Sequence, residues 1–225
     1  MSADQLEMDD LLGGARSPDP KTETLAPGAM LLRGYIASTE ANDFYALVQQ
    51  FLAVSPFRHM VTPGGRQMSV AITNCGNSGW VSDLRGYRYD PLDPKSGRPW
   101  PPLPPVFRQF AEGAAAKAGF SGFNPDSCLI NRYEPGARLS SHQDRNEEDF
   151  KAPIVSLSLG LPAKFFFGGL ERRDPVRRFR LESGDVVVWG GPARLFYHGV
   201  DPLAEGNHPL TGRYRLNLTF RKALR

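Results

Sequence analysis

The second half of this sequence is a succession of short strand patterns, each ended by turn residues, and that spacing constrains the fold more than any other feature. The predicted strands cover residues 128–133, 154–161, 164–167, 177–181, 186–189, 195–198 and 215–221. Short strands at roughly 8–12-residue spacing with turn signals between them are typical of a β-sandwich or barrel. The pattern predicts a jelly-roll core, a double-stranded β-helix, over about residues 126–222.

Helical patterns come before this core. Ser38 offers a helix cap ahead of apolar residues at helical spacing from Phe44 to Leu52, and a second amphipathic segment, residues 106–118, ends at Gly119. The predicted fold class is therefore α+β, mainly β, with flanking helices. Residues 1–27 are rich in acids, glycine, proline and serine, so we expect a mobile leader before a single domain that covers residues 28–225.

Charge and cysteine content indicate the cellular compartment of the protein more clearly than its binding partner. The net charge of +3 permits a polyanionic partner without requiring one. No apolar run is long enough to cross a bilayer, and acids such as Asp4 and Asp10 argue against a secretory signal peptide. Cys75 and Cys128 have no metal-ligand or disulfide spacing, so we expect reduced, buried thiols. These features predict a cytoplasmic protein that has no membrane partner, and we expect a monomer.

The last predicted strand, residues 215–221, carries two arginines on one face, because strand side chains alternate between faces. The apolar face consists of Leu216, Leu218 and Phe220. The polar face consists of Arg215, Asn217, Thr219 and Arg221. Arginine binds carboxylates in bidentate fashion, so this row suits a small dicarboxylate. A polar face that is only in contact with water shows the same alternation. The strand taken alone favours this solvent-exposed face over a dicarboxylate site.

Two of the four histidines lie in positions that suit a metal site. His142-Gln-Asp144 places an imidazole and a carboxylate on one side of an extended segment, and His198 follows at the end of a predicted strand. Two imidazoles and one carboxylate form the facial triad of Fe(II) oxygenases. Zinc could occupy the same ligands, but zinc hydrolases have no use for the arginine row. Together, the three metal ligands and the polar face of residues 215–221 predict binding of Fe(II) and 2-oxoglutarate. The other two histidines, His59 and His208, are predicted to be structural or exposed.

Residues 55–105 combine aromatic and basic residues with many turn residues, and the part after residue 76 shows little predicted regular structure. Trp80, Tyr87 and Tyr89 are interleaved with arginines. This composition suits stacking on bases beside phosphates. The plainer alternative is that the rings only attach the segment to the core, and composition leaves both open.

Several motifs together resemble those of a known family. They are Asn131-Arg-Tyr133, Pro135-Gly136, His142-Gln-Asp144, Gly168-Gly169, Gly184-Asp-Val-Val-Val-Trp-Gly-Gly191, Arg194-Leu-Phe-Tyr-His-Gly199, the row from Arg215 to Arg221, and, further upstream, Ser55–Gly65 and Thr73-Asn-Cys-Gly76. From about Leu25 to Arg221 the chain resembles the AlkB-like family of bacterial Fe(II)/2-oxoglutarate-dependent nucleic-acid repair dioxygenases. The resemblance implies a nucleotide-recognition lid at about residues 55–105.

The resemblance also implies roles for individual residues. The implied iron ligands and catalytic residues are His142, Asp144 and His198. The distal carboxylate of 2-oxoglutarate would be held by Asn131, Tyr133 and Arg215. The metal-bound end of 2-oxoglutarate would lie near Asn217, Thr219 and Arg221. The substrate nucleotide would be contacted by Trp80, Tyr87, Arg88, Tyr89, Asn146 and Arg172.

The implied activity is oxidative demethylation of N-alkylated bases in DNA, preferably single-stranded, and in RNA as a further substrate. Fe(II), 2-oxoglutarate and O₂ would hydroxylate the alkyl group, with release of an aldehyde such as formaldehyde. A base inside a duplex cannot reach such a site, so the partner would be single-stranded or base-flipped nucleic acid. Two alternatives remain open: a hydroxylase of the same type acting on a protein or small molecule, and a nucleic-acid-binding protein with an inactive site.

Asn146 departs from the family pattern. Repair enzymes of this family usually have an acidic residue two positions after the iron-binding aspartate, whereas this chain has Asn146 there, followed by Glu147. A carboxylate attracts a cationic methylated adenine or cytosine more than a neutral amide does. We therefore expect an altered base preference or weaker activity on cationic lesions, unless Glu147 substitutes.

Overall fold

Strands dominate the described part of the chain, residues 21–224, in this computed structural model. The strands are β1 (Thr22–Ala26), β2 (Ala29–Leu32), β3 (Arg58–Val61), β4 (Gln67–Gly76), β5 (Gly79–Asp83), β6 (Gly86–Asp90), β7 (Ser127–Tyr133), β8 (Leu139–His142), β9 (Ile154–Gly160), β10 (Ala163–Phe167), β11 (Arg177–Leu181), β12 (Val186–Trp189), β13 (His198–Val200) and β14 (Arg215–Arg221). The helices are α1 (Ser38–Phe51), α2 (Pro105–Lys117) and a short 3-10 helix, Gly191–Ala193. The predicted class, mainly β, is confirmed.

Two antiparallel sheets enclose the main core. The larger sheet has the order β1-β2-β12-β9-β14-β7-β4-β3, the smaller has the order β11-β10-β13-β8, and β5 and β6 form a separate hairpin. Apolar side chains from both sheets, such as Val187 and Phe165, are buried together between them. A second apolar cluster lies between the other face of the larger sheet and the two helices. This arrangement is the predicted jelly roll with flanking helices.

The helices pack through aromatic side chains placed at helical spacing. Phe44 of α1 stacks on Phe107 of α2 with ring centroids 4.6 Å apart, and Phe107 meets Phe220 of β14 edge-on at 5.8 Å. Ser38 is the first residue of α1 rather than its cap, because the Glu40 carboxylate accepts the hydrogen bond of the Ala37 amide at 3.0 Å. No helix in the described range is long and apolar enough to span a bilayer.

Three local expectations are corrected by the structure. Residues 1–20 of the predicted leader lie outside the described residues, but Thr22–Ala26 forms β1, which pairs with β2 and buries Leu25. The region after residue 76 contains the β5–β6 hairpin, although its turn residues predicted little regular structure. His198 begins β13 instead of ending a strand. In each case pairing with a neighbouring strand decides the local structure, and a neighbour is not visible in local composition.

The aromatic contacts predict the stability of a helix variant. Phe107→Ala should lower the free energy of unfolding by about 3–5 kcal/mol, because the ring is fully buried and its removal leaves a cavity. The matched control is Val106→Ala on the same helix, where the side chain is 45% exposed and the loss should stay below about 1 kcal/mol. Urea unfolding measures both. Equal losses would contradict the assignment of Phe107 to the helix–sheet core.

Candidate active site

Two neighbouring strands bring the predicted ligands together. His142 ends β8 and His198 begins β13, and these two residues are direct partners in the ladder between the strands. Asp144 follows two residues after His142, and its Oδ1 lies 3.6 Å from Nε2 of His142 while its Oδ2 lies 3.6 Å from Nε2 of His198. The ligand atoms of the three residues all lie within 4.8 Å of one another. Two imidazoles and a carboxylate in this arrangement could hold a divalent transition metal.

Gly199 allows β8 and β13 to approach closely enough for this pairing. A Cβ atom at this position would lie 2.5 Å from the backbone oxygen of Leu139 and 2.4 Å from the ring of Phe166. The intervening Gln143 donates a hydrogen bond from Nε2 to the Leu195 carbonyl at 2.6 Å, which fixes the segment between the two ligands. The geometry of the ligand set thus depends on a glycine and an amide that do not themselves belong to it.

Both imidazoles present the nitrogen that a metal needs. Nδ1 of His142 donates to the Ser140 carbonyl at 2.8 Å, and Nδ1 of His198 donates to the Phe196 carbonyl at 3.0 Å, because a carbonyl can only accept. Nε2 therefore carries the lone pair in each ring. Burial, with a contribution from His198, lowers the pKa of His142 to about 4, which keeps this imidazole neutral near pH 7.

Asp144 is held in its charged form by Arg221. The guanidinium Nη2 donates to a carboxylate oxygen at 2.7 Å, and both side chains are more than nine-tenths buried. Burial alone would raise the pKa of Asp144, but the charge of Arg221 outweighs burial and holds the pKa well below its usual range. The site therefore combines an ionised carboxylate with two available imidazole nitrogens.

A second group of polar residues follows the faces of β14 and β7. Arg215 is directly opposite Tyr133, and Asn217 is directly opposite Asn131, so alternation brings all four to one side of the sheet. Arg215 is 1% exposed, and its Nη2 donates to Ser158 Oγ at 2.9 Å. Nε and Nη1 of Arg215 and the Tyr133 hydroxyl are buried without a hydrogen-bond partner among residues 21–224.

These unpartnered donors fit a carboxylate group. Burial raises the pKa of Tyr133 to about 12, so its hydroxyl keeps the proton that it would donate. A buried guanidinium with two unused nitrogens is costly unless an acceptor meets it. Arg215 and Tyr133 line the same cavity as the three predicted metal ligands. They could therefore hold the carboxylate of 2-oxoglutarate that lies far from the metal.

Asn217 and Thr219, the middle of the row, form hydrogen bonds within the larger sheet. Asn217 donates to Ser156 Oγ at 2.7 Å, and Thr219 donates to the Asn217 oxygen at 3.1 Å. Ser156 and Ser158, which hold Asn217 and Arg215, were not predicted as site residues. Their alternation on the otherwise apolar strand β9 is a signal that could have identified them.

One cavity of about 770 Å³ unites most of the predicted site. Its wall includes Trp80, Tyr87, Asn131, Tyr133, His142, Asp144, Asn146, Arg172, His198, Arg215, Asn217, Thr219 and Arg221. Two predicted nucleotide contacts, Arg88 and Tyr89, are not among the described residues that line it. Arg88 forms two hydrogen bonds with Asp83, and the Tyr89 hydroxyl donates to Glu147 at 2.7 Å. The volume is within the range of small-molecule sites and leaves room for more than the metal.

Two aromatic rings of the β5–β6 hairpin and the amide of Asn146, in the segment after β8, form another part of the wall. The rings of Trp80 and Tyr87 are stacked, with centroids 5.6 Å apart. The indole N–H of Trp80 donates to the side-chain oxygen of Asn146 at 3.1 Å. Glu147 is buried away from the cavity and forms an ion pair with Arg194 at 3.1 Å. Glu147 is therefore not positioned to replace the acid that position 146 lacks.

Known proteins are similar to this chain in sequence and in architecture. The family model described as "2OG-Fe(II) oxygenase superfamily" matches residues 28–221. The chain is 56% identical over 205 residues to the Escherichia coli (strain K12) protein named alpha-ketoglutarate-dependent dioxygenase AlkB, which covers 91% of this chain and 94% of that protein. A shorter match, 39% identical over 111 residues, covers 44% of this chain and 25% of the Arabidopsis thaliana protein named DNA N(6)-methyladenine demethylase ALKBH1D.

A solved structure agrees with the sequence matches. The structure described as "The structure of OsALKBH1" superposes with a TM-score of 0.80 at 29% identity, covering 90% of this chain and all of that one. The match of the family model and the identity to the E. coli protein both extend over nearly the whole described chain. The chain therefore belongs to the 2OG-Fe(II) oxygenase superfamily and, within it, to the AlkB family of dioxygenases, whose reaction uses Fe(II), 2-oxoglutarate and O₂.

Proposed function

We propose that this protein is an oxidative demethylase of N-alkylated bases in nucleic acid. The observation that carries the proposal is the shared cavity, in which one wall offers the metal ligands and Arg215 while another offers the stacked rings of Trp80 and Tyr87. The names of the relatives, a dioxygenase and a DNA demethylase, support the same conclusion. A base stacked in a duplex cannot enter such a cavity, so the substrate is single-stranded or flipped out.

Within this proposal, His142, Asp144 and His198 hold Fe(II), and Arg215, Tyr133 and Asn131 bind the distal carboxylate of 2-oxoglutarate. Asn217, Thr219 and Arg221 surround the metal-bound end. The bound metal and 2-oxoglutarate supply the oxidation, in which O₂ and 2-oxoglutarate give succinate, CO₂ and one hydroxyl group on the N-alkyl carbon. The hydroxylated product then loses formaldehyde and leaves the unmodified base.

The side chains of this chain contribute orientation and exclusion of water. The two Nδ1–H hydrogen bonds keep the imidazole lone pairs directed at the metal, and Arg221 keeps Asp144 ionised. Apolar side chains such as Phe165, Leu181 and Trp189 line the inner end of the cavity. A dry, preorganised site strengthens these electrostatic interactions.

Four arginines at the cavity would bind the phosphates of the substrate strand. Arg66, Arg138, Arg145 and Arg172 line the cavity and are exposed, and among residues 21–224 they form no ion pair. Arg172 lies over the ring of Tyr197 at 5.1 Å, which orients its guanidinium. Exposed, unpaired arginines beside aromatic rings support single-stranded nucleic acid as the partner, with affinity that falls as salt rises.

A monomer in the cytoplasm is part of the same proposal. All proposed ligands of the metal and of 2-oxoglutarate come from one chain, so no second copy is needed to complete the site. Cys75 and Cys128 are partners in the β4–β7 ladder and are both free thiols, which suits a reducing compartment.

Formaldehyde release tests the function directly. The protein, incubated with an N-methylated oligonucleotide, should release formaldehyde only when Fe(II), 2-oxoglutarate and O₂ are all present. An unmethylated oligonucleotide of the same sequence is the control. Absence of formaldehyde across single-stranded DNA and RNA that carry the common N-methyl lesions would reject the proposal. Conversion of 2-oxoglutarate stimulated by a protein or small molecule would then favour the alternative hydroxylase.

The ligand set predicts a metal-dependent gain in stability. Saturation of the site with Mn²⁺, a redox-stable substitute for Fe(II), at about 100 times the dissociation constant should stabilise the fold by roughly 3 kcal/mol. His198→Ala should remove most of this gain, because one of three ligands is lost. The matched control, His59→Ala, changes an exposed histidine outside the cavity and should keep it. Thermal unfolding with and without Mn²⁺ is the measurement, and a full gain in the His198 variant would contradict the assignment.

Arg215 predicts a specific loss in affinity for 2-oxoglutarate. Arg215→Lys should raise KM for 2-oxoglutarate about 10- to 100-fold, because a lysine cannot form the paired hydrogen bonds worth roughly 1.5–3 kcal/mol. Arg213→Lys is the control, since Arg213 is exposed and pairs only with Glu205 among the described residues. Succinate formation measures KM. An unchanged KM in the Arg215 variant would exclude this residue as the carboxylate ligand.

Asn146 predicts the preferred type of base. Its oxygen accepts the Trp80 N–H, which can only donate, so the amide N–H₂ group remains available at the cavity. A free donor suits a neutral base that carries a ring carbonyl oxygen, such as 3-methylthymine, more than a cationic base such as 1-methyladenine.

Exchange of the amide for a carboxylate tests this preference. Asn146→Asp should raise the ratio of kcat/KM for 1-methyladenine over 3-methylthymine by about 5- to 30-fold, which corresponds to roughly 1–2 kcal/mol of charge attraction. Asn207→Asp makes the same charge change at an exposed residue outside the cavity and should leave the ratio unchanged. Identical ratios in native protein and in the Asn146 variant would remove Asn146 from base selection.

A further inference from the structure

Tyr89 extends from the β5–β6 hairpin into a group of buried charges instead of the cavity wall. Its hydroxyl donates to Glu147 Oε1 at 2.7 Å and accepts a hydrogen bond from Arg221 Nη1 at 3.1 Å. Tyr89 belongs to β6, whereas Arg221 ends β14 in the large sheet. A single hydroxyl therefore connects the hairpin that carries Trp80 and Tyr87 to the base of the proposed metal site.

Arg221 carries this connection to the metal ligands. Its other terminal nitrogen, Nη2, donates to Asp144 Oδ2 at 2.7 Å. Glu147 is fixed from the opposite side by Arg194 at 3.1 Å, and Arg194 also donates to the backbone oxygen of Asp144 at 2.7 Å. The exposed fractions of these four charged side chains are between 1% and 9%. We call Tyr89, Glu147, Arg194 and Arg221 the charged brace of Asp144.

Within the β5–β6 hairpin, Tyr89 is directly connected to a residue of the cavity wall. Trp80 and Tyr89 are direct partners in the β5–β6 ladder, and Trp80 both lines the cavity and stacks on Tyr87. Among the described strands, β5 and β6 pair only with each other, and side-chain hydrogen bonds, such as those of Asn74 with the Trp80 backbone at 3.0 and 3.1 Å, attach the hairpin to the larger sheet. A base that changes the position of Trp80 would therefore change the position of the Tyr89 hydroxyl.

We propose that Tyr89 is a positioning residue that couples occupancy of the base site to the geometry of Asp144 through Arg221. The proposal rests on the proposed function, because the ligand sensed at the hairpin is the nucleotide substrate. Hydrogen bonds to charged partners are strong in a buried setting, so loss of the hydroxyl leaves Glu147 and Arg221 each one partner short. Arg221 then holds Asp144 without responding to the hairpin.

A purely structural role for Tyr89 makes a different prediction. If the ring only attached the hairpin to the core, removal of the hydroxyl would lower stability and leave the coupling between substrate and metal site unchanged. The test therefore needs readouts of coupling as well as stability. Tyr89→Phe removes only the hydroxyl. Tyr45→Phe is the matched control, because its hydroxyl forms a 2.7 Å hydrogen bond with the Tyr214 hydroxyl, and neither of these tyrosines lines the cavity.

The experiment compares native protein, Tyr89→Phe and Tyr45→Phe in two ways. The first readout is succinate formed per formaldehyde released from a saturating methylated oligonucleotide, which should be near one for native protein and about 5-fold higher for Tyr89→Phe. The second is the absorption of the anaerobic complex with Fe(II) and 2-oxoglutarate, which should shift when an oligonucleotide binds native protein and shift less in the Tyr89 variant. Tyr45→Phe should match native protein in both.

Each contrary result has a definite meaning. The proposal would be overturned if Tyr89→Phe had the same ratio of succinate to formaldehyde and the same spectral shift as native protein. This holds whatever the change in melting temperature. A raised KM for the oligonucleotide with a native ratio at saturation would also overturn it, because Tyr89 would then be an ordinary substrate contact. If native protein releases no formaldehyde from any oligonucleotide, the proposed function fails, but the spectral comparison still decides whether Tyr89 links the hairpin to the metal site.

Discussion

The buried ion pair between Arg221 and Asp144 is the interaction on which the site depends. Either charge alone would be costly in this interior, since an unpaired buried charge costs several kcal/mol. Together they keep a carboxylate ionised beside two imidazoles, and they connect the end of β14 to the segment after β8. Because β14 also carries Arg215, the strand that would bind the far end of 2-oxoglutarate also determines the charge of the proposed metal ligand.

Features with a local period were predictable from the sequence. The bounds of β14 agree with the prediction, and its alternation places Arg215 and Asn217 opposite Tyr133 and Asn131. Such alternation is readable because one face of a strand must enter an apolar core, and a shift of one residue would reverse both faces. Spacing of two in an extended segment likewise predicts that His142 and Asp144 share one side, whereas the β8–β13 ladder brings His198 opposite His142.

Features that depend on distant partners were not predictable. Glu147 and Arg194 are 47 residues apart in the chain, and Tyr89 and Arg221 are 132 apart, so no short pattern reports either contact. Charged residues usually face water, and sequence reasoning therefore did not anticipate a buried charged brace. The composition of residues 22–26 predicts part of a leader for a similar reason, because the order of strand β1 comes from pairing with β2.

Asn146 and Glu147 show how the fold separates base selection from metal binding. Asn146 is exposed at the cavity, whereas the Glu147 side chain is 1% exposed within the brace. Asn146 contacts Trp80 and Glu147 contacts Arg221, so a substitution at position 146 changes the charge that the base meets without removing a partner of Arg221. A neutral substitution at Glu147 would instead leave Arg194 and Arg221 without their shared carboxylate. The charge at the base site can therefore change without loss of a contact that maintains Asp144.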